Sequence, residues 1–172
     1  GAWVEHCQIG LPLVGCQRYG DHRDVHALPS RPSCDLLARQ DLHDSGEDIH
    51  VGAWPTAQEM HQVASRQYAF EGRCFVIAAG SLLRASSLPP ELEMHPARVT
   101  SPDQWVLRGG SAIIGPDGAY IVEPVYDQAR CLIAELDLGR IRQEQMTLDV
   151  AGHYHRPELV EFRALRPGRR RG

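Results

Sequence analysis

Apolar positions in the first 35 residues follow no sustained period of 2 or 3.6. Gly, Pro, His, Arg and Cys are scattered there, with a short apolar patch at Leu11 to Val14. From Leu36 the pattern changes. Leu36, Leu37, Gln40 and His43 stand near helical spacing, and Ser45-Gly46 supplies a glycine stop. Ile49 to Trp54 is a β-prone run ended by Pro55, which has no amide to donate to a ladder. Thr56, with Glu59 three residues on, reads as a capping box, so a helix is expected from Ala57. Its inward stripe should be Met60, Val63, Ala64 and Tyr68, its outward face Gln58, Gln62, Arg66 and Gln67, and its stop Gly72.

Cys74 to Ala79 is continuously apolar and of strand length, the pattern of a strand buried on both faces. Ser81 to Arg108 holds Pro89, Pro90, Pro96 and Pro102 and reads as a long loop. Ser111 to Gly115 and Ala119 to Val122 flank Pro116-Asp117-Gly118, a turn sequence, and predict a hairpin. Cys131 to Leu136 predicts another strand. Asp137 is placed to cap a short helix through Gln145, and the stretch from Leu148 to Pro157 is irregular. The element order is that of an α/β fold with antiparallel additions, without internal repeats.

Composition narrows the chemistry. With 42% hydrophobic and 23% charged residues the chain can build an ordinary globular core. All 18 basic residues are arginine, which excludes any P-loop lysine, Schiff-base lysine or lysine base from these residues. The formal charge of −4 gives no general attraction to nucleic acid or anionic membrane, so neither is expected as a partner. An Arg-rich stretch from Arg166 to Gly172 reads as a solvated tail. Cys7, Cys16, Cys34, Cys74 and Cys131 form no CxxC pair, and neither a signal peptide nor an apolar run near 18 residues is present. A reduced, cytoplasmic setting is expected. The start on Gly1, without methionine, suggests a fragment or processed piece.

His22 and His26 stand at i, i+4 near His6, Cys7 and Cys16, but the two cysteines are nine positions apart, where structural zinc uses spacings of roughly two to four residues. No metal and no other cofactor is expected. Arg66, Tyr68, Glu71 and Arg73 share one expected helix, where Arg66 is placed to salt-bridge within it or across a dimer.

Four blocks carry a resemblance. They are Gly46-Glu-Asp-Ile-His-Val-Gly-Ala-Trp-Pro55, the run from Ala64 to Gly80 containing Arg66-Gln-Tyr-Ala-Phe-Glu-Gly-Arg-Cys74, Gly109-Gly-Ser-Ala-Ile-Ile-Gly-Pro-Asp-Gly118, and Met146-Thr-Leu-Asp-Val-Ala-Gly-His-Tyr-His-Arg-Pro157. From Leu37 to about Phe162 the chain resembles the C-terminal half of the nitrilase branch of the carbon–nitrogen hydrolase superfamily. The resemblance implies part of an α-β-β-α sandwich with the N-terminal half missing. It also implies pairing with a second subunit through helical faces, and a homo-oligomer. The implied chemistry is hydrolysis of a small nitrile to a carboxylic acid and ammonia. A cysteine thiolate attacks the nitrile carbon, a glutamate acts as base and a lysine stabilises charged intermediates.

The family's glutamate and lysine belong to the half upstream of the resemblance. An ungapped comparison puts Ser30 in the nucleophile's place, with Arg31-Pro32 where Trp-Glu is expected. A four-residue deletion brings Cys34 there, followed by Asp35-Leu36. Cys34 is therefore the catalytic candidate, without its motif. The resemblance also assigns Trp54, with Pro55, to the substrate pocket, and His153 to the pocket or the layer behind it. Read without the resemblance, Trp54 is a core residue and His153 a structural histidine.

Three regions follow: a non-matching segment at 1–35, a partial nitrilase domain at 36–162 and a tail at 163–172. The expected protein is a nitrilase-family polypeptide, truncated or frame-disrupted and inactive on its own, with poor solubility or an oligomeric state. The alternatives are a non-catalytic remnant that associates with full-length relatives, and a rewired hydrolase using Cys34.

Overall fold

The fold is taken from a computed structural model that describes residues 2–3, 25–29, 36–89, 101–150 and 152. Three parallel strands, β2 (Val25–Pro29), β3 (Ile49–Trp54) and β4 (Phe75–Gly80), lie side by side. Next to β4 comes β6 (Trp105–Ile114), antiparallel, with Ile77 opposite Ile113. The first half of β6 pairs instead with β5 (Leu82–Arg84), and its other side carries β7 (Tyr120–Tyr126). A separate antiparallel pair joins β1 (Ala2–Trp3) to β8 (Glu135–Leu136). The helices are α1 (Leu36–Asp44), α2 (Glu59–Gly72) and α3 (Gly139–Gln145). The element order predicted an α/β fold with antiparallel additions, and the core of that fold is parallel.

The two faces of the sheet are sorted by the period of 2. Ile49, Val51, Phe75, Ile77 and Ile113 face one way and pack with Leu132, Leu136 and Ile141. Val76 and Ile114 face the other way, onto Tyr68 and Ala69 of α2, and Ala78 packs with Trp54 and Ala57. All six residues of β4 are buried, as its unbroken apolar run predicted. Filling both faces in this way stabilises the sheet by about 1.5–3 kcal/mol for each fully buried large side chain.

Several boundaries match the sequence. α1 ends where Gly46 adopts φ 72°, which favours glycine, with Ser45 N and Gly46 N donating to Leu42 O and His43 O. β3 stops before Pro55. The hairpin turn closes through Gly115 N to Ala119 O and Gly118 N to Gly115 O, although β6 and β7 both run further than the apolar stretches suggested. α3 ends at Gln145, and the Asp137 carboxylate accepts the Gly139 amide.

Other expectations are corrected. The Thr56–Glu59 capping box does not form. Ala57 N donates to Gly109 O, which holds residues 56–58 in extended form against β6, and the helix starts two residues later than expected, at Glu59. The inward stripe is rotated: Gln62, Ser65, Tyr68 and Ala69 are buried, whereas Met60 is 70% and Val63 50% exposed. Gly72 is the last helical residue, but the left-handed position is Arg73.

Arg73 is held there because its guanidinium donates to Pro116 O and Leu148 O and reaches Glu144 and Thr147. Arg66 donates to Gly118 O and lies over the Tyr120 ring instead of pairing along its helix. The Ser81 to Arg108 stretch is not one loop, since Leu82–Arg84 and Trp105 to Arg108 pair as strands, with Arg84 stacked over Trp105. Of Cys131 to Leu136, Glu135–Leu136 form β8 and Leu132 makes a single bridge.

Candidate functional site

Parallel strands in open α/β sheets present ligand sites beyond their C-terminal ends, and Trp54 is the last residue of β3. It is 6% exposed. Its Nε1 donates to Ser65 Oγ at 3.1 Å, and its ring meets His61 edge-on, with centroids 4.8 Å apart. Its carbonyl accepts Ser81 N from the end of β4. The indole is thus held from α2 and its backbone from the end of the neighbouring strand.

Below it, the 55–58 segment is pinned to a distorted part of β6. Gly110, at φ 86°, lets that segment approach: a Cβ there would run into Ala57 O and the Tyr126 ring. Ala57 O accepts both Gln62 Nε2 and Tyr126 Oη, at 3.0 Å each, and Gln62 Nε2 also donates to Gly110 O at 2.5 Å. Tyr120 Oη completes the amide by donating to Gln62 Oε1 at 3.3 Å. Beside these satisfied groups, Thr56 Oγ1 and His61 Nδ1 are buried without a hydrogen-bond partner. A hydroxyl and an imidazole with unspent bonding capacity thus stand close to the indole.

At the other end of α2 lies a buried network that sequence reading did not single out. Glu47, 4% exposed, accepts from Tyr68 Oη through one carboxylate oxygen and meets His50 Nδ1 at 3.2 Å through the other. An ionised carboxylate only accepts, so His50 carries its proton on Nδ1. The His50 ring stacks on Tyr68 at 4.0 Å and that of His43 tilts against it at 4.6 Å. Burial raises the pKa of Glu47, but the hydrogen bond and charge of His50 and the bond from Tyr68 outweigh it and hold the carboxyl below its usual value. Burial lowers the His43 pKa, and burial, then the Glu47 charge, raises that of Tyr68. The signal was present as Glu47-x-x-His50 running into the start of β3, inside one of the blocks already singled out.

Of the three site residues expected from sequence, Trp54 is placed as described, and Cys34 and His153 lie outside the described residues. So do the side chains of His22 and His26, and among the described residues no three His, Cys, Asp or Glu side chains group as metal ligands would. Cys74 does not serve as a thiolate. It is fully buried, and burial, then the charges of Glu47 and Asp48, pushes its thiol well above the usual range. Among the described residues Cys74 therefore offers no activated nucleophile.

Residues 34–145 match the carbon–nitrogen hydrolase family model. The chain is 35% identical over 129 residues to a bifunctional nitrilase/nitrile hydratase, NIT4A, of Lupinus angustifolius, covering 73% of this chain and 37% of that protein. It is 32% identical to an arylacetonitrilase of Trametes versicolor (76% and 41% covered) and 37% identical to an aliphatic nitrilase of Sinorhizobium fredii (68% and 38%). The chain thus spans about two fifths of the length of these relatives.

Among solved structures, a carbon–nitrogen hydrolase from Helicobacter pylori superimposes with a TM-score of 0.58 at 16% identity, over 73% of this chain and 44% of that one. The NitFhit protein of C. elegans does so with the same score and identity, over 80% and 30%. These likenesses show the fold, and the described sheet with its helices is part of an α-β-β-α sandwich. On the family match, the chain belongs to the carbon–nitrogen hydrolases, in their nitrilase branch.

Proposed function

We propose that these residues form the C-terminal share of a nitrile-hydrolysing site, converting a small nitrile to a carboxylic acid and ammonia, and that the 172-residue chain is inactive on its own. The observation that carries the reading is Trp54, fixed at the end of a parallel strand beside Thr56 and His61, within a chain similar to nitrilases. Trp54 walls the nitrile pocket, and His153 serves the pocket or supports it from behind. Hydrolysis through a cysteine thioimidate needs a general base and a cation to stabilise the charged intermediates. The sequence has no lysine for the second role. Cys34, the first residue of the family match, is the candidate thiol, followed by Asp35-Leu36 in place of the family's Trp-Glu.

Ammonia release from an aliphatic and an aromatic nitrile tests this. The purified chain should release none above buffer. Release that disappears in Cys34→Ala would make Cys34 a working nucleophile and overturn the inactivity. Release that survives the substitution would overturn both the inactivity and the cysteine assignment.

The chain self-associates in this reading. Met60 and Val63 stand three residues apart on α2 and are well exposed, with Phe70 41% exposed on the same helix. Such an apolar surface is a contact surface for a second subunit, either another copy or a longer relative. The wide cysteine spacing accords with a cytoplasmic setting, and among the described residues no helix is long and apolar enough to cross a membrane.

A further inference from the structure

The C-terminal end of α2, roughly 10 Å along the helix from Ser65, where the Trp54 indole is held, borders a cavity of about 50 Å³. A water-sized guest needs roughly 10–15 Å³ of such space. The acidic residues Glu47, Asp48, Glu71 and Asp149 line it together with His43 and Arg73, and Glu71 is also paired with Arg39 at 3.2 Å. The C-terminal ends of α1 and α2 meet there, and helix C-termini carry partial negative charge. Electrostatically the cavity selects a cation.

His43 narrows the choice. Its side chain is 4% exposed, and both ring nitrogens are buried without a hydrogen-bond partner. Glu47 Oε1, 3.9 Å from Nδ1, is too far for a hydrogen bond. Burial keeps this imidazole neutral near pH 7, so it offers a nitrogen lone pair. Arg73, the cationic member of the lining, already directs its donors to Leu148 O, Pro116 O, Thr147 and Glu144. A guest therefore meets mainly acceptors, one of them nitrogen.

Sodium and potassium favour oxygen ligands and gain little from an imidazole. A transition metal would use it, but no three of the described His, Cys, Asp and Glu side chains group as metal ligands. A compact cation that only donates N–H bonds fits both conditions. We propose that the cavity bounded by His43, Glu71 and Asp149 is an ammonium-binding site. Its meaning as a product site rests on the nitrile-hydrolysis reading above; binding itself does not.

The test is the thermal unfolding midpoint of the full 172-residue chain at about pH 7.5, where histidine is largely neutral. Ammonium chloride is titrated against sodium, potassium and tetramethylammonium chlorides at matched ionic strength. Ammonium should raise the midpoint saturably beyond the other three, and the excess should vanish in His43→Phe. Asp149→Asn is the second variant, should the first fail to fold; it should weaken the ammonium response roughly tenfold by removing a charged acceptor. Equal midpoints in ammonium and sodium throughout the titration, meaning that the cavity takes water alone, would overturn the site. An ammonium response unchanged in the variants that fold would also overturn it. Because no nitrile enters the measurement, this site and the proposed reaction fail independently.

Discussion

Glu47 shows how one residue joins three elements. Its carboxylate accepts from Tyr68 on α2 and from His50 on β3, and stands 3.9 Å from His43 on α1. A buried carboxylate survives only when its lone pairs are used, so removing a donor costs more than the hydrogen bond's net value. The acid response follows from two shifts of the same sign. The His43 pKa is lowered in the folded state, so its contribution is intact above about pH 6.5 and declines as pH falls toward its folded value. The Glu47 pKa is lowered from 4.5, and its contribution is lost as pH falls through its folded value. Urea denaturation should therefore show stability falling from about pH 6.5 downward, with a further loss below about 4.5. Tyr68→Phe should lower stability near pH 7 by about 1–3 kcal/mol. A flat profile between pH 7 and 4, or an unchanged midpoint in Tyr68→Phe, would contradict the network. At this scale the burial of Trp54 at the end of β3 was legible, as the core position its sequence setting suggested. The network was not, because its members belong to separate elements and only the fold brings them together.

The second helix shows where pattern reading misleads. Periodicity assumes that the buried face is the apolar one. On α2 the buried face includes Gln62 and Ser65, each with a specific partner: Gln62 serves Ala57 O, Gly110 O and Tyr120 Oη, and Ser65 takes the Trp54 indole. Polar side chains satisfied in this way pack inward without the usual penalty, which turns Met60 and Val63 outward. The capping box misled similarly, since Thr56 belongs to the segment anchored on Gly109. By contrast the hairpin, β4 and the end of α1 were legible, because turn glycines, an unbroken apolar run and a glycine stop each admit few structures. The outward apolar pair yields a prediction. Met60→Glu combined with Val63→Glu should shift the chain to a smaller species in sedimentation velocity. The stability of that species should change by no more than about 0.5 kcal/mol per site, as for exposed positions. An unchanged sedimentation profile would remove this helix from the contact surface.

Across the whole molecule, protection should follow the sheet's connectivity. β4 sits between β3 and β6 with both faces filled, one by Phe75 and Ile77, the other by Val76 and Ala78. β7 pairs only with β6 among the described strands, contains Pro124, which has no amide to donate, and is half-buried along most of its length. Such a strand belongs at an edge, where a proline and an exposed charge such as Glu123 discourage further pairing. The order of burial was visible in the sequence as an unbroken apolar run against an interrupted one; the pairing order was not, because β5 and β4 share one side of β6 through a bend at Gly80-Ser81 that no periodicity announces. Native-state hydrogen exchange should therefore find the slowest amides in residues 75–79 and 111–114, opening only with global unfolding. Amides of β7 that do not donate to β6 should exchange far faster through local opening. If those β7 amides proved as protected as β4, the edge of the sheet would be covered in solution, and the partner on it would become the next object to identify.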